Sequence, residues 1–413
     1  MSRAAHTQYR EQLAALAGDI AVLRAIQNAT PAHAWWSPDK TWRRMAEAFH
    51  PGQEPYAALT YEAVGPRPQL FHVEVFQEQP ADYGDGLVAP EQILGWVRYR
   101  PFPADSILNT LSQALAGGGQ PRVLQYWPGK RCTIRFEEGT ESRYTKVYPK
   151  KFLRRDRGAQ LHRVATALST AAGRGEIGFT VAAPVCWDAD TRTLWQLHLE
   201  GTPASSLLAG DSGCRVAYRM GQAAASLGRC GIVPTRIFDV HEQLADSADY
   251  GGELATHVPR LAATVDALLS ELEAMAAEPL QRALCPVHGD LHAGQWVVDG
   301  PRLGLLDFDD FSLGEPERDA AFFVTQLESE LGLGLRVAQL AEAFLAGFEE
   351  VAGSLDPRRV AAYAAHKWLS KARKAARELR SDGDARAERM LSRAIERAHW
   401  ARETSSLVAG GVQ

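Results

Sequence analysis

Two carboxylates on either side of a tight hairpin constrain this 413-residue chain more than any other feature of it. The run Cys285-Pro286-Val287-His288-Gly289-Asp290-Leu291-His292 leads to the amide Gln295. Two apolar segments follow, Trp296-Val297-Val298 and Leu303 to Leu306, joined by Asp299-Gly300-Pro301, and directly after them stands Asp307-Phe308-Asp309. Apolar segments flanking a Gly-containing turn predict a β-hairpin, which returns its second strand beside its first. Asp307 is therefore expected next to the loop that carries Asp290 and Gln295. A lone Asp in a loop is ordinarily a turn or cap residue. Two of them around an amide, at opposite ends of one hairpin, are what phosphoryl transfer asks of a protein: a carboxylate facing an acceptor hydroxyl, and oxygen ligands for magnesium on the phosphates.

His288-Gly289-Asp290-Leu291-His292, then Asp307-Phe308-Asp309, then Gly314-Glu315-Pro316-Glu317-Arg318-Asp319, resembles the signature of the aminoglycoside phosphotransferase and choline kinase family, relatives of the protein kinases. Gln295 departs from it, since most members carry Asn there; the ending Gly294-Gln295 is similar to that of the maltokinases. The longer amide remains a hard neutral oxygen donor suited to magnesium. The resemblance implies ATP and Mg2+ as cofactors. It casts Asp290 as the group that orients and deprotonates the acceptor, with His288 of the same catalytic loop and Asp319 as its braces. Gln295 and Asp307 become magnesium ligands, and Asp309 either a further ligand or a solvent-facing residue. His292 either braces the loop or reaches the phosphate.

The same resemblance organises residues 120–200. Val123 to Trp127, Cys132 to Phe136 and Arg143 to Tyr148 alternate as strands around turns at Pro128-Gly129-Lys130 and Glu138-Gly139, as in the small lobe of a kinase. Lys146 falls in the third strand, where the family keeps the lysine that grips the α- and β-phosphates; the bland alternative is a solvated edge lysine. Arg131 and Arg135 read as surface charges, with phosphate binding the weaker alternative. The following helix, about Arg157 to Ala172, contains no Glu to pair with Lys146, and only Asp156 and Gln160 stand nearby. Phe179 to Pro184 and Thr193 to Leu199 read as the last small-lobe strands. Gln196 to Glu200, with Gln196, His198 and Leu199 as contacts, takes the place of the adenine-binding hinge by order in the chain.

Residues 1–105 read as an added cap: an amphipathic helix over 8–28, a second helical stretch over Trp42 to Phe49, then strands at Ala57 to Val64, Leu70 to Gln77 and Ile93 to Arg100. Trp35-Trp36 is either a sugar platform or, more commonly, buried structure. A helix near Asp105 to Leu115 opens the lobe at 106–199. Residues 200–413 read as a helical lobe, with helices at Cys214 to Cys230, Glu253 to Ala277, Ala320 to Leu331, Leu335 to Gly353, Pro357 to Arg380 and Asp384 to Arg402. The fold class is thus α+β, a two-lobed kinase-like fold with an N-terminal cap.

With 46% hydrophobic and 23% charged residues the composition is that of a soluble globular chain, and a net charge of −5 gives no general pull toward nucleic acid or membrane. Five scattered cysteines form neither a disulfide framework nor a zinc site. No apolar run reaches membrane-span length and the start lacks a signal peptide, which predicts a cytoplasmic protein. The run Lys367, Lys371, Arg373, Lys374, Arg377, Arg380 reads as a solvated helix face rather than a nucleic-acid surface. The expected activity is transfer of the ATP γ-phosphoryl group to a small sugar-like acceptor, an amino sugar or aminoglycoside included; the alternative is a catalytically inactive nucleotide-binding regulator.

Overall fold

The computed structural model describes residues 41–410 apart from 51–55, 65–68, 82–86, 92–94, 140 and 281, together with Tyr9, Gln12 and Leu13. The helix expected over 8–28 and the pair Trp35-Trp36 lie outside the described residues, save that Tyr9, Gln12 and Leu13 are helical.

The first sheet is antiparallel and contains β1 (Thr41–His50), β2 (Tyr56–Val64), β3 (Gln69–Phe76), β4 (Leu87–Glu91) and β5 (Gly95–Pro101), in the order β1-β2-β3-β5-β4. β1 corrects the helix expected over Trp42 to Phe49. Its Arg, Met, Ala and Glu residues favour helix locally, but pairing with β2 from Thr41–Val64 to His50–Tyr56 satisfies the main chain and places Phe49 in a core with Leu59, Val73 and Val97. Packing of that kind outweighs the modest propensity difference.

α1 (Leu111–Leu115) is shorter than the expected helix from Asp105. The Asp105 carboxylate ties up the preceding turn instead: Oδ1 accepts from the N–H groups of Ile107 and Leu108, and Oδ2 from the Tyr126 hydroxyl and the Gly129 N–H. Next come β6 (Gln120–Trp127), β7 (Arg131–Glu138), β8 (Glu141–Val147), α2 (Arg157–Gly173), β9 (Thr180–Val181), β10 (Pro184–Asp188) and β11 (Thr193–Leu197). The second sheet runs β10-β11-β8-β7-β6, which puts Lys146 on its central strand. β9, expected in that sheet, lies elsewhere, pairing in parallel with a strand of the catalytic hairpin through Thr180–Gly304.

The remainder is mostly helical: β12 (Thr202–Pro203), α3 (Ala204–Leu208), α4 (Gly213–Ser226), α5 (Val240–His257), α6 (Ala262–Ala276), β13 (Cys285–Val287), β14 (Trp296–Asp299), β15 (Arg302–Leu305), β16 (Ser312–Gly314), α7 (Pro316–Leu331), α8 (Leu335–Ala352), α9 (Pro357–Arg377) and α10 (Gly383–Gly410). The single helix expected over Glu253 to Ala277 is two, because Pro259 cannot donate to the helical ladder. Trp296 is fully buried with Met220, Leu305, Phe323 and Phe344, so the hairpin that separates the two carboxylates is rooted in the main core. Truncating such a side chain typically costs about 3–5 kcal/mol. No helix among the described residues is long and apolar enough to cross a membrane.

Candidate active site

Short pairings draw the two acidic loops together. β13 runs antiparallel to β16 through Val287–Ser312, and β14 to β15 through Trp296–Leu305 and Val298–Leu303. At the open end the Leu306 N–H donates to the Gln295 carbonyl at 3.0 Å, and His288 Nε2 lies 3.0 Å from the Leu306 carbonyl, which makes Nε2 the protonated nitrogen. Asp319, in the first turn of α7, accepts from the N–H groups of His288 at 2.6 Å and Gly289 at 2.8 Å, and so braces the loop. Gly289 has φ +89°, and a Cβ there would sit 2.3 Å from the Asp310 carbonyl oxygen. Only glycine lets the loops approach this closely.

Asp307 occupies left-handed backbone space at φ 71° and ψ 61°, an unusual state for a residue with a Cβ. Lys146 reaches it from β8: Nζ lies 2.5 Å from Asp307 Oδ1 and 3.4 Å from Asp309 Oδ1. Arg131 Nη1 donates to Asp309 Oδ2 at 2.9 Å and stands 3.6 Å from Asp307 Oδ2. The Tyr148 hydroxyl donates to Asp309 Oδ1 at 2.8 Å, and Arg157 donates to the Asp309 carbonyl at 3.2 Å. Burial pulls the Lys146 ammonium down, yet Asp309 and Asp307 outweigh it and hold it above its ordinary value. Burial pushes Asp307 up, and Lys146 with Arg131 brings it below the usual carboxylate range. Burial first, then Asp309, raises the Tyr148 phenol well above its ordinary value, so it stays a donor.

Three expectations are corrected here. Arg131 is no surface charge, because Asp309 meets it from the far side of the hairpin at 2.9 Å. Neither acid nor amide at the start of α2 serves Lys146: Asp156 pairs with Arg163 and Gln160 with Thr235, both exposed. Asp309 does not face solvent; its side chain is 17% exposed and takes three donors.

Asp290 is met from a direction the motif does not contain. Lys367 Nζ on α9 donates to Asp290 Oδ1 at 2.6 Å and sits 4.4 Å from the centre of the Phe322 ring. The lysine side chain is 15% exposed and the carboxylate 44%, so the acid is reachable while its partner is sheltered. Burial alone would raise Asp290, but Lys367, with His292 and His288, holds it below its ordinary value. The basic run is therefore a solvated face only at Lys374 and Arg380, which are exposed. Lys371 donates to Gln326 at 2.6 Å, while Arg373 and Arg377 share Glu253, each at 3.3 Å. The one sequence signal was that Tyr363, Ala364, Trp368 and Leu369 surround Lys367 on α9 with residues that end up buried. Removing this cation should raise the Asp290 pKa, so Lys367→Ala is expected to shift the acidic limb of the turnover–pH profile to higher pH; an unmoved limb would show that Lys367 does not tune Asp290.

Gln295 is buried, and its Oε1 accepts from the His292 N–H at 3.0 Å while His292 Nδ1 accepts from the Gly294 N–H at 3.1 Å. One lone pair of the amide oxygen is thus used within the loop. Among the described residues no group of three or more His, Cys, Asp or Glu side chains is arranged around a metal position. At the expected hinge, Gln196 pairs with Tyr144 in the sheet, the His198 N–H donates to the Ser142 carbonyl at 3.0 Å, and the His198 ring stacks on Tyr144 at 5.3 Å. Leu199 lies against Gly304 of the catalytic hairpin. Among the described residues no main-chain partner meets the Leu199 N–H.

A model of the phosphotransferase enzyme family matches residues 133–363, more than half of the chain, and spans Lys146, Asp290, Asp307 and Lys367. The chain belongs to this family. No curated protein matches it in sequence. Similar solved structures include the choline kinase LicA from Streptococcus pneumoniae, at 14% identity and a TM-score of 0.49 over 70% of this chain and 96% of that one. Others are an aminoglycoside phosphotransferase from Streptomyces rimosus in complex with ADP and streptomycin, at 19% identity and 0.45 over 63% and 96%, and a choline/ethanolamine kinase family protein from Mesorhizobium loti, at 17% and 0.44 over 69% and 94%. This member of the phosphotransferase enzyme family has a β-rich N-terminal part and a helical C-terminal part.

Proposed function

We propose that the protein moves the γ-phosphoryl group of ATP to a hydroxyl of a sugar-like small molecule. The observation that carries this is Asp290: a half-exposed carboxylate held ionised by a sheltered lysine, in a loop bonded to the one that presents Asp307 to Lys146. Asp290 orients the acceptor hydroxyl and takes its proton as the bond to phosphorus forms. Lys146 and Arg131 grip phosphate oxygens, and the main chain around Leu199, with Gln196 and His198, borders the adenine.

The donor set fits magnesium. Asp307 would offer carboxylate oxygens and Gln295 a second lone pair on its amide oxygen, with nucleotide phosphates and water completing the set, while Asp309 is engaged by Lys146, Arg131 and Tyr148. When bound, the ion neutralises charge on the phosphates. Three lobes follow from this reading: a cap to residue 105, a small lobe over 106–199 and a catalytic lobe over 200–413. A sugar-like acceptor is favoured because the Gly294-Gln295 ending and the added cap occur together.

The test is substrate-dependent ADP release from ATP and magnesium across sugars, amino sugars and aminoglycosides. Turnover with a polyol acceptor is expected; tight ATP binding without transfer to any acceptor would identify an inactive regulator instead.

Asp309 has an expected result of its own. It gathers Lys146, Arg131 and Tyr148 where α2 offers no acid, and hydrogen bonds to charged groups are worth about 1.5–3 kcal/mol. Asp309→Asn should raise the KM for ATP by about tenfold or more with the magnesium midpoint little changed. A shifted midpoint at constant KM would make Asp309 a metal ligand rather than the anchor of the clamp.

A further inference from the structure

A cleft of about 810 Å³ opens between the first sheet, the turn joining β6 to β7, and the C-terminal half of α9. Cations line it from several elements: Lys130 from the turn, Arg373, Lys374 and Arg377 from the helix, and Arg44, Arg380 and Arg386 around them. The acids along its wall are already engaged. Asp105 holds Tyr126 and Gly129, Glu47 lies 2.8 Å from Arg44, Glu74 lies 3.2 Å from Arg98, and Glu378 pairs with Arg386. Arg373 and Arg377 divide one carboxylate, Glu253, between them. Among the described residues neither Lys130 nor Lys374 forms an ion pair, and Glu253 acts on Lys130 only from a distance.

The cost of this crowding is visible in the groups themselves. Burial, then Arg377 and Arg373, lowers the Lys130 ammonium below its ordinary value. Burial, then Arg377 and Lys130, brings His50 on β1 down to about 4, so at neutral pH its imidazole adds hydrogen-bonding capacity without charge. The Arg and Lys side chains lining the cleft outnumber its Asp and Glu side chains, and an excess of one sign in a walled cleft creates a focused potential. Guanidinium forks are suited to carboxylate and phosphate.

We propose that this cleft is an anion-binding site that takes the phosphate or carboxylate group of a small ligand. It adjoins the transfer site on two sides. Lys130 directly precedes Arg131, which holds Asp309, and Lys374 stands two turns along α9 from Lys367, about 10 Å at 1.5 Å per residue. One acceptor molecule can span that interval. The anion is therefore either the far end of the acceptor or a free anion acting as an effector. Only the first of these rests on the phosphotransferase reading.

The test uses the full chain and its Lys130→Glu, Lys374→Glu and Lys374→Arg variants. With the nucleotide site saturated by ADP and magnesium, calorimetry with inorganic phosphate at low ionic strength should show binding. Both Glu substitutions should weaken it at least tenfold, and Lys374→Arg should retain it. No binding, or equal affinity in all four proteins, overturns the site. Turnover then separates the sources. A phosphorylated or carboxylated sugar with a lower KM than its neutral counterpart, a preference lost in Lys374→Glu while the neutral acceptor keeps its kcat, places the acceptor's far end in the cleft. A change in neutral-acceptor turnover on adding phosphate, with no such preference, makes the anion an effector. Absence of transfer to every acceptor would remove the phosphotransferase reading, whereas the calorimetry alone decides the cleft.

Discussion

Asp290→Asn is expected to bind ATP and magnesium as the native protein does and to lose turnover by about 10²–10⁴-fold, the usual contribution of a general base. The amide preserves the shape of the side chain and cannot take the acceptor proton. It also removes the negative charge that Lys367 neutralises, leaving a sheltered ammonium whose carboxylate is gone. The folded structure should survive, because Asp290 is not among the groups that tie the loop: that task falls to Asp319, His288 and Gln295. Initial rates at saturating ATP, together with nucleotide affinity measured separately, check the result. A variant within threefold of native turnover would exclude Asp290 as the base.

Asp307→Asn should have the other large effect, and on a different quantity. Loss of outer partners of a metal ligand commonly costs about 10–100-fold in metal affinity, so loss of a charged ligand itself should move the magnesium midpoint by about 100-fold or more. The substitution also releases Lys146 from its 2.5 Å contact, which should depress turnover even at saturating magnesium. Gln295 provides the comparison. If its free lone pair coordinates the ion, Gln295→Ala shifts the midpoint in the same direction by less, and Gln295→Glu keeps metal affinity while slowing turnover, because added negative charge opposes the charge developing on the transferring group. Magnesium titrations of the three variants decide the matter. An unchanged midpoint in Gln295→Ala beside a shifted one in Asp307→Asn would leave Gln295 as the cap of the His292 loop alone.

The local features of the site were legible in the chain because local rules govern them. The hairpin from Trp296 to Leu305 and the strands flanking Lys146 follow from alternation and turn residues, and they form where those rules place them. What escaped was everything decided by contact between distant segments. Trp42 to Phe49 is composed of residues that suit a helix and becomes a strand because β2 is there to pair with it. Arg131 looks like any strand arginine until the catalytic lobe sets Asp309 2.9 Å away. Lys367 lies 77 positions from Asp290, in a basic run whose periodicity resembles a solvated face. No property of a helix's own residues states what will stand opposite them, so partners of this kind emerge only from the packed structure.

The first sheet also ties distant parts of the chain together. Leu70, near the start of β3, and Phe102, just beyond β5, pack on the core of the second sheet, with the Phe102 ring 5.2 Å from that of Tyr126. The opposite end packs on Leu379 just beyond α9, and the Phe49 ring stands edge-on to His257 of α5 at 6.1 Å. The sheet is a strap fastened to the second sheet at one end and to the helical C-terminal part at the other, and those two parts cannot swing apart on that side without peeling one of these apolar seams.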